Sequence, residues 1–373
     1  MRTLTRRSTV LLTLLTVAGG MTAPVAGAEQ ERKPLPKVAV IGTGGTISGV
    51  SKSRVSYQDY ESGKLPVSKL VNDLRPEVDA IADVSTEQFG NKGSGSYSIA
   101  DYRKLTASVD QALKKSDAVV VTTGTDTMEE FAYWLDLTVR SDKPLILTGS
   151  MRPWTVIGTD APANLYNAIH LAASRKTTCY GTVLMLNDQI QAAREARKTN
   201  ALRMDTFTSG DSGELGVIDQ DNIRLNRAPA RVQKCGTKAW KTPFDLDRIA
   251  KKALPKVEIA YSYQDAGPEA IKAFADSGAD GVVTAGTGAG GLSPAMTEAR
   301  KDAVKDGVLF AATTRTGNGA VYDDHTEGVI GAEDLTPQKA RLLLLLSLAA
   351  TDDQNRIRSW FATLGSAQFQ PRR

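Results

Sequence analysis

Histidine and cysteine are nearly missing from this chain, with two of each among 373 residues. His170 and His325 leave a Ser-His-Asp site few possible bases. Any proton transfer then falls to lysine, tyrosine or carboxylate. Cys179 and Cys235, even joined by both histidines, are poor material for a structural zinc site. Long apolar runs are missing too. None of eighteen residues follows the N-terminal segment, which excludes a spanning helix there. A bias of charge is also absent: 46 Lys and Arg stand against 42 Asp and Glu. Three of those arginines, Arg2, Arg6 and Arg7, lie in the first residues. The remainder is close to neutral and has no broad basic footprint for nucleic acid.

What is present is an ordinary globular composition, 41% hydrophobic and 24% charged. It suffices for one large domain or two smaller ones. Residues 1–28 read as an export signal. The three arginines form a positive start, "STVLLTLLTVAGGM" is a short apolar core, and Ala26-Gly27-Ala28 is an A-x-A-like cleavage site. The pair Arg6-Arg7 also permits the twin-arginine route. The expected location is therefore periplasmic or extracellular. There, Cys179 and Cys235 have the option of one disulfide, which sequence alone leaves open.

Short apolar runs alternate with amphipathic ones. "KVAVIG", "DAVVVTTG", "PLILTG" and "GTVLML" read as strands buried on both faces. "MEEFAYWLDLTVRS" and "NLYNAIHLAASR" lie between or beyond them as helices. The rhythm restarts with "VEIAYSY", "GVVTAG" and "VLFAATT", and a last helix follows Pro337. This alternation predicts an α/β fold: a larger N-terminal doubly wound parallel-sheet domain (29–240), a linker (241–255) and a smaller C-terminal α/β domain (256–373).

The stretch "VAVIGTGGTISG" runs a strand into a glycine-rich turn. As a dinucleotide loop it lacks the third glycine, because position 47 is Ile. As a P-loop it lacks the lysine. "GDSG" at 210–213 imitates a serine-peptidase motif, but its surroundings alternate strand and helix, so it reads as a loop. A better signal is an echo: the strand "VAVIG" ends in T-G-G-T, and "AVVVTTG" ends in T-D-T. Ligands bind beyond the carboxyl ends of strands in open parallel sheets. Thr46 and Thr125-Asp126 would then share one crevice. A threonine hydroxyl needs a base to become a nucleophile. Gly44 and Gly45 would let backbone N–H groups approach an oxyanion. A second reading stays open: Asp126 and Glu129 have capping-box spacing for a helix from Thr127, and Thr46 suits a turn.

With "GTGGTISG", "TTGTDTMEEFAYWLDLTVRSDKPLILTGSMRP", "DAPANLYNAIHLAA", "ARKTNALRMDTF" and "LTPQKARLLLLLSLA" in place, the sequence resembles the bacterial type II L-asparaginases over nearly its whole length. The resemblance implies hydrolysis of asparagine to aspartate and ammonia, without a cofactor or metal. It makes Thr46 the nucleophile and Tyr60 the lid tyrosine that activates it, with Tyr57 close by. It makes Thr125, Asp126 and Lys198 a set in which the lysine deprotonates a threonine and Asp126 holds the substrate's α-amino group. Ser94 would grip the α-carboxylate, beside Gly95. Lys198 and Tyr60 come from the resemblance alone. In "AREARKTN" Lys198 otherwise reads as part of a solvated helix face, and Tyr60 as a surface aromatic.

Three departures stand out. Gly95 replaces a glutamine, 288–291 read Gly-Ala-Gly-Gly where the family's turn supplies an asparagine to its neighbour, and an intersubunit glutamate would fall near Val321. The resemblance implies a homo-oligomer, a dimer of dimers with active sites at subunit interfaces. Two alternatives remain: a broader glutaminase-asparaginase, and an exported binding protein that captures amino acids without turnover.

Overall fold

The computed structural model describes residues 34–249 and 254–365. The expected export signal lies outside them. Eight strands form the larger sheet: β1 (Lys37–Gly44), β2 (Asp83–Lys92), β3 (Ala118–Thr122), β4 (Leu145–Thr148), β5 (Thr182–Leu186), β6 (Gln189–Ala192), β7 (Gly216–Asp219) and β8 (Asn222–Leu225). Their spatial order is β8-β7-β6-β5-β4-β3-β1-β2. Strands β1 to β5 pair in parallel. The sheet then continues with β6, β7 and β8 in antiparallel pairing, an extension the sequence reading did not include.

Alternation along β1 and β3 explains why both run almost purely apolar. Ala39, Ile41, Val119 and Val121 join the core on one face, with α2 (Ile99–Lys115) and α3 (Met128–Thr138). Val38, Val40, Ala118 and Val120 join the core on the other, with α1 (Val67–Asn72) and α4 (Ala161–Ser174). A strand buried on both sides has no polar face to show.

The smaller sheet holds four parallel strands in order: β9 (Val257–Tyr261), β10 (Gly281–Gly286), β11 (Leu309–Thr314) and β12 (Val329–Gly331). Helices α5 (Glu269–Asp276) and α6 (Pro294–Lys305) cover one face. On the other lies α7 (Pro337–Ala350), followed by α8 (Gln354–Leu364). Leu342 to Leu346 are all buried. A helix apolar all round belongs inside a protein, and each such leucine contributes about 2 kcal/mol by burial. These leucines share one cluster with Phe131 and Leu135 of α3 and with Val257, Val283 and Leu309. The two sheets are thus joined through an α3–α7 core.

The order β2-β1-β3-β4-β5 reverses direction between β1 and β3. A crevice opens at such a switch point, at the carboxyl ends of the two strands. Thr46 follows β1, and Thr125 follows β3.

Candidate active site

The turn after β1 contains two threonines with different tasks. Thr43 is fully buried, and its hydroxyl donates to the Thr122 carbonyl at 3.0 Å, tying β1 to β3. The Tyr97 hydroxyl donates to the Thr43 carbonyl. Thr43 is therefore occupied by structure, and Thr46 is the one left for the crevice. Gly44 and Gly45 adopt φ of 103° and 84°, a region that favours glycine. The Gly45 N–H donates to the Lys92 carbonyl at 3.0 Å. That corrects the sequence expectation: this N–H is engaged and does not point at an oxyanion.

Thr46 opens a short 3-10 turn, Thr46–Ser48. Its Oγ1 lies 2.7 Å from the Tyr60 hydroxyl. Tyr60 sits on a two-stranded hairpin, Val50–Ser51 against Tyr60–Glu61. Its ring rests on Gly49, where a Cβ would come within 2.7 Å of the ring. Tyr57 lies elsewhere: it is exposed, with the Arg152 guanidinium over its ring.

Lys198 sits in a two-residue strand, Arg197–Lys198, paired with Phe207–Thr208, and not on a solvated helix. Its Nζ donates to Thr125 Oγ1 at 2.9 Å and to Asp126 Oδ1 at 2.7 Å. The lysine side chain is 13% exposed against 84% for Asp126, so the carboxylate forms the open rim. Asp126 does not cap α3. The N-cap position is Thr127, and no side chain caps it. Ser94 is buried, and its Oγ accepts from the Thr127 N–H at 3.2 Å. Its own proton is free to be donated to a carboxylate. Gly95 is exposed, and a Cβ there would meet nothing within 4 Å. Thr46, Tyr60, Ser94, Thr125, Asp126 and Lys198 thus converge at the switch point.

The expected neighbour-contact residues lie in the loops that follow β10 and β11 of the smaller sheet. Gly290, φ 90°, packs on Val321, whose Cγ1 would lie 3.0 Å from a Cβ on the glycine. An apolar pair stands where the resemblance has polar groups. Among the described residues, no group of three or more His, Cys, Asp or Glu could hold a metal ion.

Sequence reasoning missed Lys339. This lysine of α7 is 1% exposed, and burial pushes its amine down to about 8, with Glu129 opposing. The available signal was a lysine inside the apolar helix "PQKARLLLLL".

Two family models match the chain: Asparaginase, N-terminal, over residues 37–231, and Glutaminase/Asparaginase C-terminal domain, over 256–361. L-asparaginase 2 of Bacillus subtilis is 41% identical over 89% of this chain and 87% of its own. L-asparaginase 2 of Escherichia coli is 38% identical over 91% of this chain and 97% of its own. A crystal structure of a probable cytoplasmic L-asparaginase from Campylobacter jejuni superposes with a TM-score of 0.82 at 38% identity, covering 88% of this chain and 99% of that one. With both halves matched by the family's models and relatives similar over 89% and 91% of its length, the chain belongs to the asparaginase family of enzymes.

Proposed function

We propose that this protein hydrolyses L-asparagine to L-aspartate and ammonia through an acyl-enzyme on Thr46. One observation carries the reading: two threonine hydroxyls, one beside a phenol and one beside an amine, sit on the touching turns that follow β1 and β3.

Tyr60 takes the Thr46 proton, and Oγ1 attacks the side-chain amide carbon. The tetrahedral intermediate collapses as the nitrogen gains a proton and leaves as ammonia. Thr125 and Lys198 carry protons on the opposite flank, and Lys198 must shed one before it serves as a base. Water then attacks the ester and releases aspartate. Asp126 accepts from the substrate's α-amino group, and Ser94 donates to its α-carboxylate. No metal or cofactor enters this scheme.

The active protein is exported and is a dimer of dimers whose sites are closed by a second chain. The Cys179–Cys235 disulfide, with Cα atoms 5.6 Å apart, supports an oxidising compartment. The exposed Asp126 rim leaves room for a neighbouring chain. A broader glutaminase-asparaginase is the second reading, favoured by the open space at Gly95. Ammonia release from asparagine and glutamine, measured side by side, separates the two activity readings, and size-exclusion chromatography with light scattering tests the dimer of dimers. Release from asparagine alone fits the first reading, and comparable release from both fits the second. Binding of either without release would make the protein a carrier.

A further inference from the structure

Lys339 belongs to α7, yet its hydrogen-bond acceptors lie far away in sequence. Its Nζ donates to the carbonyls of Ala193 at 2.9 Å and Arg194 at 3.0 Å, and to that of Ala196. Those carbonyls end two residues before Lys198. On its other side the same Nζ lies 3.8 Å from Glu129 Oε2. Glu129 is in the first turn of α3, three residues after Asp126. Gln338 donates to the other oxygen of Glu129 at 3.0 Å. One ammonium therefore touches both segments that bring Lys198 to Thr125 and Asp126.

Packing alone does not call for this residue. Its neighbours Leu342 to Leu346 fill the same helix with hydrocarbon. A buried charge is costly unless its hydrogens and its charge are matched. Here three carbonyls take the hydrogens and a carboxylate faces the charge. A matched ammonium fixes the distance between the elements it joins more tightly than apolar contact does. Arg194 reinforces the tie, because its guanidinium grips Asp334 from the same segment.

We propose that Lys339 is a positioning residue for the reaction, holding the Lys198 amine against Thr125 and Asp126 through Glu129 and the 193–196 carbonyls. This rests on the reading that Lys198 serves amide hydrolysis. A misplacement of about 1 Å costs on the order of 100-fold in rate.

The test compares wild type, Lys339→Met and Lys339→Gln for ammonia release from asparagine, thermal unfolding and crystal structure. The methionine keeps the volume and loses every donor. The glutamine keeps two N–H donors and no charge. The expected result is a kcat lower by roughly 10- to 100-fold in K339M, partial recovery in K339Q, and KM within about twofold. A purely packing role gives the opposite order, with K339M at least as active as K339Q, and overturns the proposal. So does a folded K339M crystal in which Lys198 Nζ stays 2.9 Å from Thr125 Oγ1. If K339M does not fold, Glu129→Gln takes its place, with a kcat loss expected and an unchanged kcat overturning the proposal. Absence of turnover in the wild type would sink the hydrolase reading instead. The crystallographic distance would then decide the role of Lys339 by itself.

Discussion

Gly45 presses so closely on Gly124 that a Cβ on Gly45 would lie 2.2 Å from the Gly124 nitrogen. The two glycines belong to the turns that carry Thr46 and Thr125. Their contact sets how near the two hydroxyl groups come. Gly45→Ala meets both that clash and a φ of 84°, a backbone cost of about 1–3 kcal/mol before any clash is counted. The expected outcome is a protein that melts several degrees lower and loses at least about 100-fold in kcat, because a displacement near 1 Å suffices for that. Full activity at an unchanged melting temperature would show that the turns can separate without harm.

Lys198 and Tyr60 are hydrogen-bonded to different hydroxyls, those of Thr125 and Thr46, at 2.9 Å and 2.7 Å. Each positioned acid or base is worth roughly 10²–10⁴ in rate. Lys198→Met and Tyr60→Phe should therefore each lower kcat into that range while unfolding as the wild type does. Thr46→Ala should remove the covalent step altogether. Rapid-quench trapping of acyl-enzyme checks the assignment. Ester formed on Thr125 in a Thr46→Ala background would reverse the roles of the two threonines.

Much of this site was legible because β-strands announce themselves. The runs at 38–41 and 118–121 are apolar at every position since alternate residues face different cores. Thr46 and Thr125, five and four positions beyond those runs, had to emerge at one edge of the sheet. Tyr60 and Lys198 gave no such signal. Each hangs on a two-residue strand in irregular chain, and Lys198 reaches across 73 positions to Thr125. Asp126 misled for a local reason, since its spacing to Glu129 imitates a capping box. In the fold Asp126 pairs with Lys198 and Glu129 turns inward to α7. The antiparallel strands β6 to β8 were hidden by their brevity, four residues each.

Gly95 gives a gain-of-function test. It stands next to Ser94 in open space, and its φ is not in the left-handed region. Gly95→Gln should fold with stability within about 0.5 kcal/mol of the wild type, as exposed substitutions generally do. If position 95 faces the substrate carboxylate, an added amide donor should lower KM for asparagine several-fold and leave kcat nearly unchanged. Steady-state kinetics decide it. An unaltered KM would place position 95 outside the substrate's reach.

Lys339 makes stability depend on pH in a stated direction. Its amine is pushed down from 10.5 to about 8 by burial. Between those values the unfolded chain holds one proton more than the folded chain at this group. Stability from Lys339 therefore rises with pH across that window, by up to about 1.4 kcal/mol per pH unit. Below about pH 8 both states hold the proton and the slope vanishes. Urea unfolding of wild type and Lys339→Met at pH 7.5 and pH 9.5 isolates the effect. The stability difference between them should shift toward the wild type at the higher pH, and a constant difference would mean the buried amine stays charged throughout.

The disulfide should matter for stability and not for catalysis. Cys179 lies just before β5, at the amino end of a strand parallel to β4, whereas the site sits at the carboxyl ends. The bridge closes a span of 56 residues, worth about 4 kcal/mol in the chain-entropy account of the unfolded state. It also pins the segment holding Trp240, whose indole donates to the Cys179 carbonyl at 2.8 Å and carries Arg231 over its ring. Arg231 in turn pairs with Asp136 of α3 at 2.9 Å. Cys235→Ser, or reduction of the wild type, should lower the unfolding free energy by about 2–4 kcal/mol. kcat and KM in the absence of denaturant should stay within about twofold. Loss of turnover in a variant that is still folded would mean that the 230–240 segment reaches the crevice through α3, because Asp136 lies on the helix that begins beside Asp126.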